Sequence, residues 1–212
     1  MRLVATSDTH FPVSPSLIPD GDVFIHAGDL LNRGYESEWT SALKWLDALP
    51  HKTKIFVPGN HDFHLQVYPG PALQDLRSCG VTVVGFPGNT QFEEVVLPNS
   101  MTLLGLPFVT NLPRWAFNAE EEDVERFLLT KDKADIVVSH SPIKGVLDGD
   151  DASHFGISCY RDFLNRVKPK LWFCGHVHEK YGHAKIAQTD VYNVAMCDRA
   201  YRHKNPPIVL DL

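Results

Sequence analysis

The sequence predicts an α/β layered fold with helices on both faces of the sheet material, and three observations support this. Short β-branched or apolar runs recur along the chain, and each ends in a polar turn. Helical patterns lie between several of these runs, which is typical of layered α/β proteins. The length of 212 residues, with 43% apolar residues, fits one domain over residues 1–212 with a sizeable core.

Nine segments have the length and composition of strands. They are residues 2–7, 22–27, 54–57, 81–85, 101–106, 135–139, 171–174, 191–195 and 208–212. The stretch 81–109 carries strand patterns with no obvious helix between them, so we expect a hairpin or meander there.

Three segments have helical patterns. Residues 37–49 place Trp39, Leu43 and Leu46 on one face and stop at a proline. Residues 119–130 follow Asn118, a plausible N-cap, and open with an acidic turn. Residues 159–167 form the third predicted helix.

Polar side chains follow five of the predicted strands at the point where each strand ends. They are Asp8 and His10, then Asp29, then Asn60, His61 and Asp62, then His140, then His176 and His178. In open α/β sheets the carboxyl ends of the strands are where ligand sites collect. Each motif taken alone is weak, but five clusters directed to one edge indicate a single site.

The residue types indicate a metal site. Imidazole and carboxylate ligands suit Mn, Fe, Zn or Ni, and the lack of cysteine ligands argues against structural zinc. In Asp8-Thr9-His10 and His176-Val177-His178, alternate side chains of an extended segment face the same side. Glycines before Asp29, Asn60 and His176 allow a sharp turn or a close backbone approach.

In this order, the motifs resemble the calcineurin-like metallophosphoesterase superfamily, whose signature is Asp-x-His, Gly-Asp, Gly-Asn-His-(Asp/Glu), a lone His and Gly-His-x-His. The match spans residues 8–178. The resemblance implies a four-layer α/β/β/α sandwich of two mixed sheets flanked by helices. It also implies phosphoester hydrolysis by a hydroxide that bridges two divalent ions, with manganese the first choice.

The same resemblance implies the division of the ligands. One ion would be held by Asp8, His10 and His178. The other would be held by Asn60, His140 and His176, and Asp29 would bridge both. All of these residues are present in the sequence.

His61 and Asp62 are the predicted catalytic residues. His61 matches the family's catalytic histidine, and we expect it to contact a phosphate oxygen and to protonate the leaving alkoxide. Asp62 either orients the His61 imidazole or caps the loop. The roles of Arg33, His64 and His154 are left open at this stage.

A narrower resemblance concerns residues 169–182 and 205–211. These segments are similar to the metallophosphoesterase-domain-containing branch, which is related to class III cyclic-nucleotide phosphodiesterases. The resemblance implies a small phosphoester substrate, with nucleotides favoured. A phosphoprotein phosphatase, a nuclease and a non-catalytic scaffold of the same fold are the alternatives, and loss of ligands would mark the scaffold.

Net charge and cysteine content indicate which binding partners and which cellular location the sequence favours. A net charge of −6 disfavours stable nucleic-acid binding and anionic membranes. No stretch of membrane-spanning length and no signal peptide is expected. The four cysteines are scattered, as expected for reduced thiols in a cytoplasmic protein. The sequence leaves the oligomeric state undetermined.

Overall fold

The structure, a computed structural model, describes residues 1–10, 13–86, 94–150 and 153–212. Its strands are β1 (Arg2–Thr6), β2 (Val23–His26), β3 (Thr53–Phe56), β4 (Val81–Val83), β5 (Glu94–Val96), β6 (Thr102–Leu106), β7 (Ile136–Ser139), β8 (Gly149–Asp150), β9 (Ser153–His154), β10 (Leu171–Cys174), β11 (Gly182–Ile186), β12 (Thr189–Asn193) and β13 (Ile208–Asp211). Its α-helices are α1 (Glu36–Ala48), α2 (Phe63–Val67), α3 (Pro69–Ser78), α4 (Glu121–Leu128) and α5 (Cys159–Val167).

Most strands belong to one of two mixed sheets. The first has the order β13-β1-β2-β3-β4, in which β1 to β4 are parallel and β13 is antiparallel. The second has the order β11-β12-β10-β7-β6-β5, with four parallel central strands and an antiparallel strand at each edge. The ribbon β8–β9 is separate from both.

Three apolar layers hold these elements together. Between the sheets, residues such as Leu3 and Ile25 of the first pack in one cluster with Val138 and Phe173 of the second. On the outer face of the first sheet, Phe24 packs with aromatic and aliphatic residues of α1 and α3. On the outer face of the second sheet, Trp172 packs with residues of α4 and α5. These layers confirm the four-layer α/β/β/α prediction. The parallel strands are apolar on both faces because both faces are covered.

The two sheets are joined near the carboxyl ends of their strands. Ser7, just after β1, forms an isolated parallel bridge with Ala195, just after β12. The Ser7 N–H donates to Val194 O at 3.0 Å, and the Met196 N–H donates to Ser7 O at 2.9 Å. The turns that follow β1, β2, β3, β7 and β10 therefore meet at one end of the sandwich.

Helix prediction succeeded where apolar periodicity was strong. Helices α1 and α5 lie within one residue of their predicted bounds. Helices α2 and α3 were not predicted. Helix α3 begins at Pro69, where a proline is tolerated because the first N–H has no helical partner. Asn118 as an N-cap was wrong. Its Oδ1 instead accepts from the Leu112 N–H at 2.9 Å, and α4 starts only at Glu121.

The stretch between β4 and β6 contains the expected hairpin, since β5 and β6 pair antiparallel. Residues 87–93 of that stretch lie outside the described residues. Strand β11 was missed, and β12 begins two residues before its predicted start. Among the described residues, no helix combines the length and apolar character needed to cross a membrane.

Phe173 is fully buried in the layer between the sheets and stacks on Tyr192 with ring centroids 5.6 Å apart. Its truncation should therefore lower the stability of the fold. We expect Phe173→Ala to lower the free energy of unfolding by about 3–5 kcal/mol, because a cavity is left between two rigid sheets. Urea denaturation measures this. Val96→Ala is the control, since Val96 is 66% exposed and its loss should change stability by less than about 0.5 kcal/mol. Equal midpoints for the two variants would contradict the layered core.

Candidate metal centre

The turns that present the site share an unusual backbone. Asp8, His10, Asp29 and His176 have φ values of 51°, 52°, 57° and 67°. The left-handed region is disfavoured for residues with a Cβ atom, and each such residue costs about 1 kcal/mol or more. Here the chain turns sharply after β1, β2 and β10, and the polar side chains of these turns meet at one end of the sandwich.

The first group of candidate ligands is Asp8, His10 and His178, whose ligand atoms lie within 4.8 Å of one another. The Nε2 atoms of His10 and His178 are 3.1 Å apart, and His178 Nε2 is 3.3 Å from Asp8 Oδ1. Each imidazole donates its Nδ1 proton to a backbone carbonyl, His10 to Leu31 O at 3.2 Å and His178 to Asp198 O at 3.0 Å. This fixes the tautomer, and both Nε2 atoms are aimed at one point.

The second group is Asp29, His140 and His176, with Asn60 beside it. His140 Nε2 lies 2.9 Å from Asn60 Oδ1 and 3.3 Å from Asp29 Oδ1. His140 Nδ1 donates to Ala27 O at 3.0 Å, so Nε2 again faces inward. The rings of His140 and His176 meet edge to face with centroids 5.1 Å apart.

Asp29 lies between the two groups. One carboxylate oxygen is 3.3 Å from His140 Nε2, and the other is 3.9 Å from His10 Nε2. The Asp29 Oδ1 atom also accepts from the His61 N–H at 2.8 Å. This placement suits the predicted bridge between two ions.

The donor set fits divalent cations. Nitrogen and oxygen acceptors converge from several buried residues, and the Nδ1 protons of His10, His140 and His178 are committed to backbone carbonyls. Groups buried in this way require a positive charge between them. Their composition, imidazole with carboxylate and amide oxygen, is one that binds first-row metal ions.

Burial and the neighbouring carboxylates shift the pKa values of the four histidines of the two groups. Burial lowers the pKa of His10 to about 4 and that of His176 to about 4, so both are neutral ligands. Burial opposes the charged form of His140 and His178 as well. In the absence of metal, however, Asp29 raises the pKa of His140 to about 9, and a hydrogen bond to Asp8 raises that of His178 to about 9. A metal ion must therefore displace protons from these two histidines.

The orienting role requires a hydrogen bond between the Asp62 carboxylate and the His61 imidazole, and these two described residues do not form one. Asp62 Oδ2 accepts from the N–H groups of Gly59 at 2.7 Å and Asp29 at 2.9 Å, and its Oδ1 accepts from Leu31 at 3.0 Å. These contacts favour the loop-cap alternative over the orienting role, because short polar side chains commonly satisfy nearby backbone donors. Asp62 holds the turns after β2 and β3 together.

His61 lies at the mouth of the site. Its Nδ1 donates to Asn32 O at 2.5 Å, so this carbonyl orients the ring in place of Asp62. Its Nε2 is 3.9 Å from Asp29 Oδ2, and His10, Asp29 and His61 form a third group close enough to hold a metal ion. The geometry therefore allows either a ligand or an acid role for His61.

Two clefts open beside the site, with volumes of 760 and 720 Å³. Both are lined by His61, Trp115 and Tyr201. The Tyr201 ring lies 4.6 Å from His10 and 5.3 Å from His178, and the Trp115 ring lies 4.5 Å from His61, centroid to centroid. Sequence patterns gave no signal for Tyr201, since it follows no strand and belongs to no motif.

The residues whose roles were left open fall in different places. His64 is buried and stacks on Trp39 with centroids 4.7 Å apart, so it belongs to the core of the first sheet's helical layer. His154 is exposed on the β8–β9 ribbon, where its Nδ1 lies 2.9 Å from Asp148 Oδ1. Arg33 lines the 720 Å³ cleft.

Comparison with known proteins gives a consistent family. A family model described as "Calcineurin-like phosphoesterase" matches residues 1–180. The chain is 32% identical to the human "Metallophosphoesterase domain-containing protein 1" over 231 residues, covering 100% of this chain and 71% of that protein. It is 30% identical to a UPF0046 protein of Caenorhabditis elegans, covering 100% of this chain and 81% of that one. The crystal structure of TT1561 of Thermus thermophilus has the same fold, with a TM-score of 0.62 at 14% identity over 91% of this chain and 88% of that one.

The two ligand groups predict that the chain binds two divalent ions. After dialysis against Mn²⁺, elemental analysis should give about two ions for the wild type, about one for His10→Ala and fewer than one for Asp29→Ala. His183→Ala, an exposed histidine paired with Asp190, is the control and should bind two. Binding should weaken as the pH falls from 9 to 6, because His140 and His178 regain their protons. Full retention of metal by Asp29→Ala would contradict the bridge.

The hydrogen bonds of Asp62 predict a structural defect in Asp62→Asn. The amide replaces one acceptor oxygen with a donor that faces backbone N–H groups, so we expect a loss of about 1–3 kcal/mol in the free energy of unfolding of metal-free protein. Urea denaturation measures it. Asp123→Asn, an exposed carboxylate paired with Arg126, should cost less than about 1 kcal/mol. Unchanged stability of Asp62→Asn together with lost activity would restore the catalytic role.

Proposed function

Because the chain belongs to the calcineurin-like phosphoesterase family, we propose that it is a dinuclear-metal enzyme that hydrolyses phosphoester bonds of small substrates. The family implies metal-dependent phosphoester hydrolysis, and the predicted family and branch are confirmed. The observation that carries the proposal is the convergence of two ligand groups on Asp29 at the floor of an open cleft.

The proposed ligands are those implied by the resemblance. Asp8, His10 and His178 would hold one ion, Asn60, His140 and His176 the other, and Asp29 both. When bound, two divalent ions would neutralise the phosphoryl oxygens and supply a water of lowered pKa. Manganese is the ion we propose, since mixed imidazole and carboxylate sites accept it, although iron, zinc and nickel suit the same donors.

His61 is the proposed general acid. Its Nδ1 proton is committed to Asn32 O, so only Nε2 is available to exchange a proton with substrate. Nε2 faces the cleft side of Asp29, at 3.9 Å from Oδ2. A proton on Nε2 would be placed to reach the leaving alkoxide, which otherwise departs as a poor leaving group.

The substrate we propose is a small phosphoester, with a nucleotide favoured. The 760 Å³ cleft has the volume of a small-molecule site, and the half-exposed rings of Trp115 and Phe155 line it. The net charge of −6 disfavours a nuclease that binds long duplexes. A non-catalytic scaffold is disfavoured because every predicted ligand is present and faces the others. A cytoplasmic location also stays a prediction.

The proposal predicts metal-dependent turnover. Metal-free protein reconstituted with Mn²⁺ should hydrolyse bis-p-nitrophenyl phosphate, p-nitrophenyl phosphate, or 2′,3′- or 3′,5′-cyclic nucleotides. The His61→Ala variant should keep both ions and lose about 10²–10⁴-fold in rate on the cyclic nucleotides, with a smaller loss on nitrophenyl esters, whose leaving group needs no proton.

Two outcomes would contradict this. No turnover of any of these substrates with Mn, Ni, Fe or Zn would exclude the enzyme. Loss of a metal ion from His61→Ala would make His61 a ligand and exclude its role as an acid.

A further inference from the structure

The second cleft, of 720 Å³, differs from the first in its charge. The first has carboxylates and cations together in its lining, among them Glu179 and Arg199, which pair at 3.6 Å. The second has two cations, Arg33 and Arg114, and none of its lining residues in the described chain is acidic. In a protein with a net charge of −6, a cleft with only positive side chains is selective for anions.

The two arginines are free to bind a ligand. Both side chains are exposed, and neither guanidinium has an ion-pair partner among residues 1–10, 13–86, 94–150 and 153–212. The Glu38 carboxylate, which contacts the loop of Arg33, binds the backbone of that loop. Glu38 Oε2 accepts from the backbone N–H groups of Asn32, Arg33 and Gly34 at 3.2, 2.8 and 2.9 Å.

The loops that carry these arginines are fixed. The Glu38 hydrogen bonds hold the Arg33 loop, and Asn32 of the same loop accepts from His61. On the other side, Trp115 N–H donates to Leu112 O at 2.9 Å, and Ala116 N–H donates to Asn60 O at 3.2 Å. Each arginine is therefore attached to a segment that also contacts a residue of the metal centre, so the position of its backbone relative to that centre is fixed.

The walls between the arginines are aromatic. They are formed by Tyr35, Phe63, Trp115 and Tyr201. Tyr35 is 59% exposed and Tyr201 44% exposed, so two large rings face solvent beside two cations. Rings and guanidinium groups together bind a flat base or sugar that carries phosphate.

We propose that this cleft is a subsite for a second phosphate group, and that the substrate is a nucleotide with at least two phosphates. This inference rests on the proposed function, since the first phosphate is the one held at the metal centre. The shared residues His61, Trp115 and Tyr201 place the second phosphate on the side of the scissile group where His61 stands. Arg33 and Arg114 bind it by charge-assisted hydrogen bonds.

The test compares two diesters that differ only by that group. Thymidylyl-(3′→5′)-thymidine has one phosphate, and its derivative with a phosphate on the 3′-oxygen of the leaving, 5′-linked nucleoside has two. Chromatography follows the release of thymidine or of its 3′-phosphate. With the Mn²⁺-loaded full chain, the second phosphate should raise kcat/KM by about tenfold or more at low ionic strength, and added salt should reduce the gain. In the Arg33→Ala, Arg114→Ala double variant, the gain should disappear, while turnover of the one-phosphate ester changes less than about twofold. Arg77→Ala, which removes an exposed arginine on α3, should behave as wild type.

A binding measurement separates this inference from the proposed function. Calorimetry on the full chain, with and without Mn²⁺, should show tighter binding of thymidine 3′,5′-bisphosphate or thymidine 5′-diphosphate than of thymidine 5′-phosphate. Tighter binding of the 3′,5′-bisphosphate would indicate that the two phosphates of the substrate are on different oxygens of the sugar, as in a nucleic acid. Tighter binding of the 5′-diphosphate would indicate a pyrophosphate. Turnover of neither ester, with selective binding kept, would count against the proposed hydrolysis and retain the subsite. Turnover with equal kcat/KM for both esters, or a gain that survives in the double variant, would overturn the subsite.

Discussion

A single buried carboxylate, Asp29, imposes the constraint on which the site depends. It is buried at the floor of the cleft between two groups of imidazoles, where an uncompensated charge is strongly unfavourable. Side chains from the turns after β1, β7 and β10 reach it, and the turns after β1 and β10 contain residues in the left-handed region. The metal-free centre holds its charge balance through protons on His140 and His178, which metal ions would replace.

The strain is tolerated because the surroundings are rigid. Three apolar layers fix the two sheets, and the bridge between Ser7 and Ala195 joins them next to the ligands. Gly59 and Gly175 have no space for a side chain, since a Cβ atom at either would overlap the Asp29 or Asp8 carboxylate. Asp62 then sets the spacing of the turns after β2 and β3 by accepting from both.

Sequence patterns predicted the layers and the convergence of the candidate ligands for physical reasons. Parallel strands covered on both faces are continuous apolar runs, and polar residues at their carboxyl ends stand out against them. The patterns failed where contacts come from distant parts of the chain. The partner of His61 is a backbone carbonyl of Asn32, which no side-chain motif reports. Arg33 and Arg114 share a cleft although they lie far apart in sequence, and helix α3, which begins at Pro69, was not predicted.

The hydrogen bond from His178 Nδ1 to Asp198 O links two separate stretches of the chain. The residues that match the family model end at 180, so every predicted ligand lies inside that region and the group that orients His178 lies outside it. The loop that contains Asp198 also carries Tyr201, and His203 donates to Thr9 O between the first two ligands at 2.7 Å. The candidate ligands and the loop that orients one of them are thus encoded in separate stretches, and because the acceptor is the backbone carbonyl of Asp198, it does not depend on which side chain stands at that position.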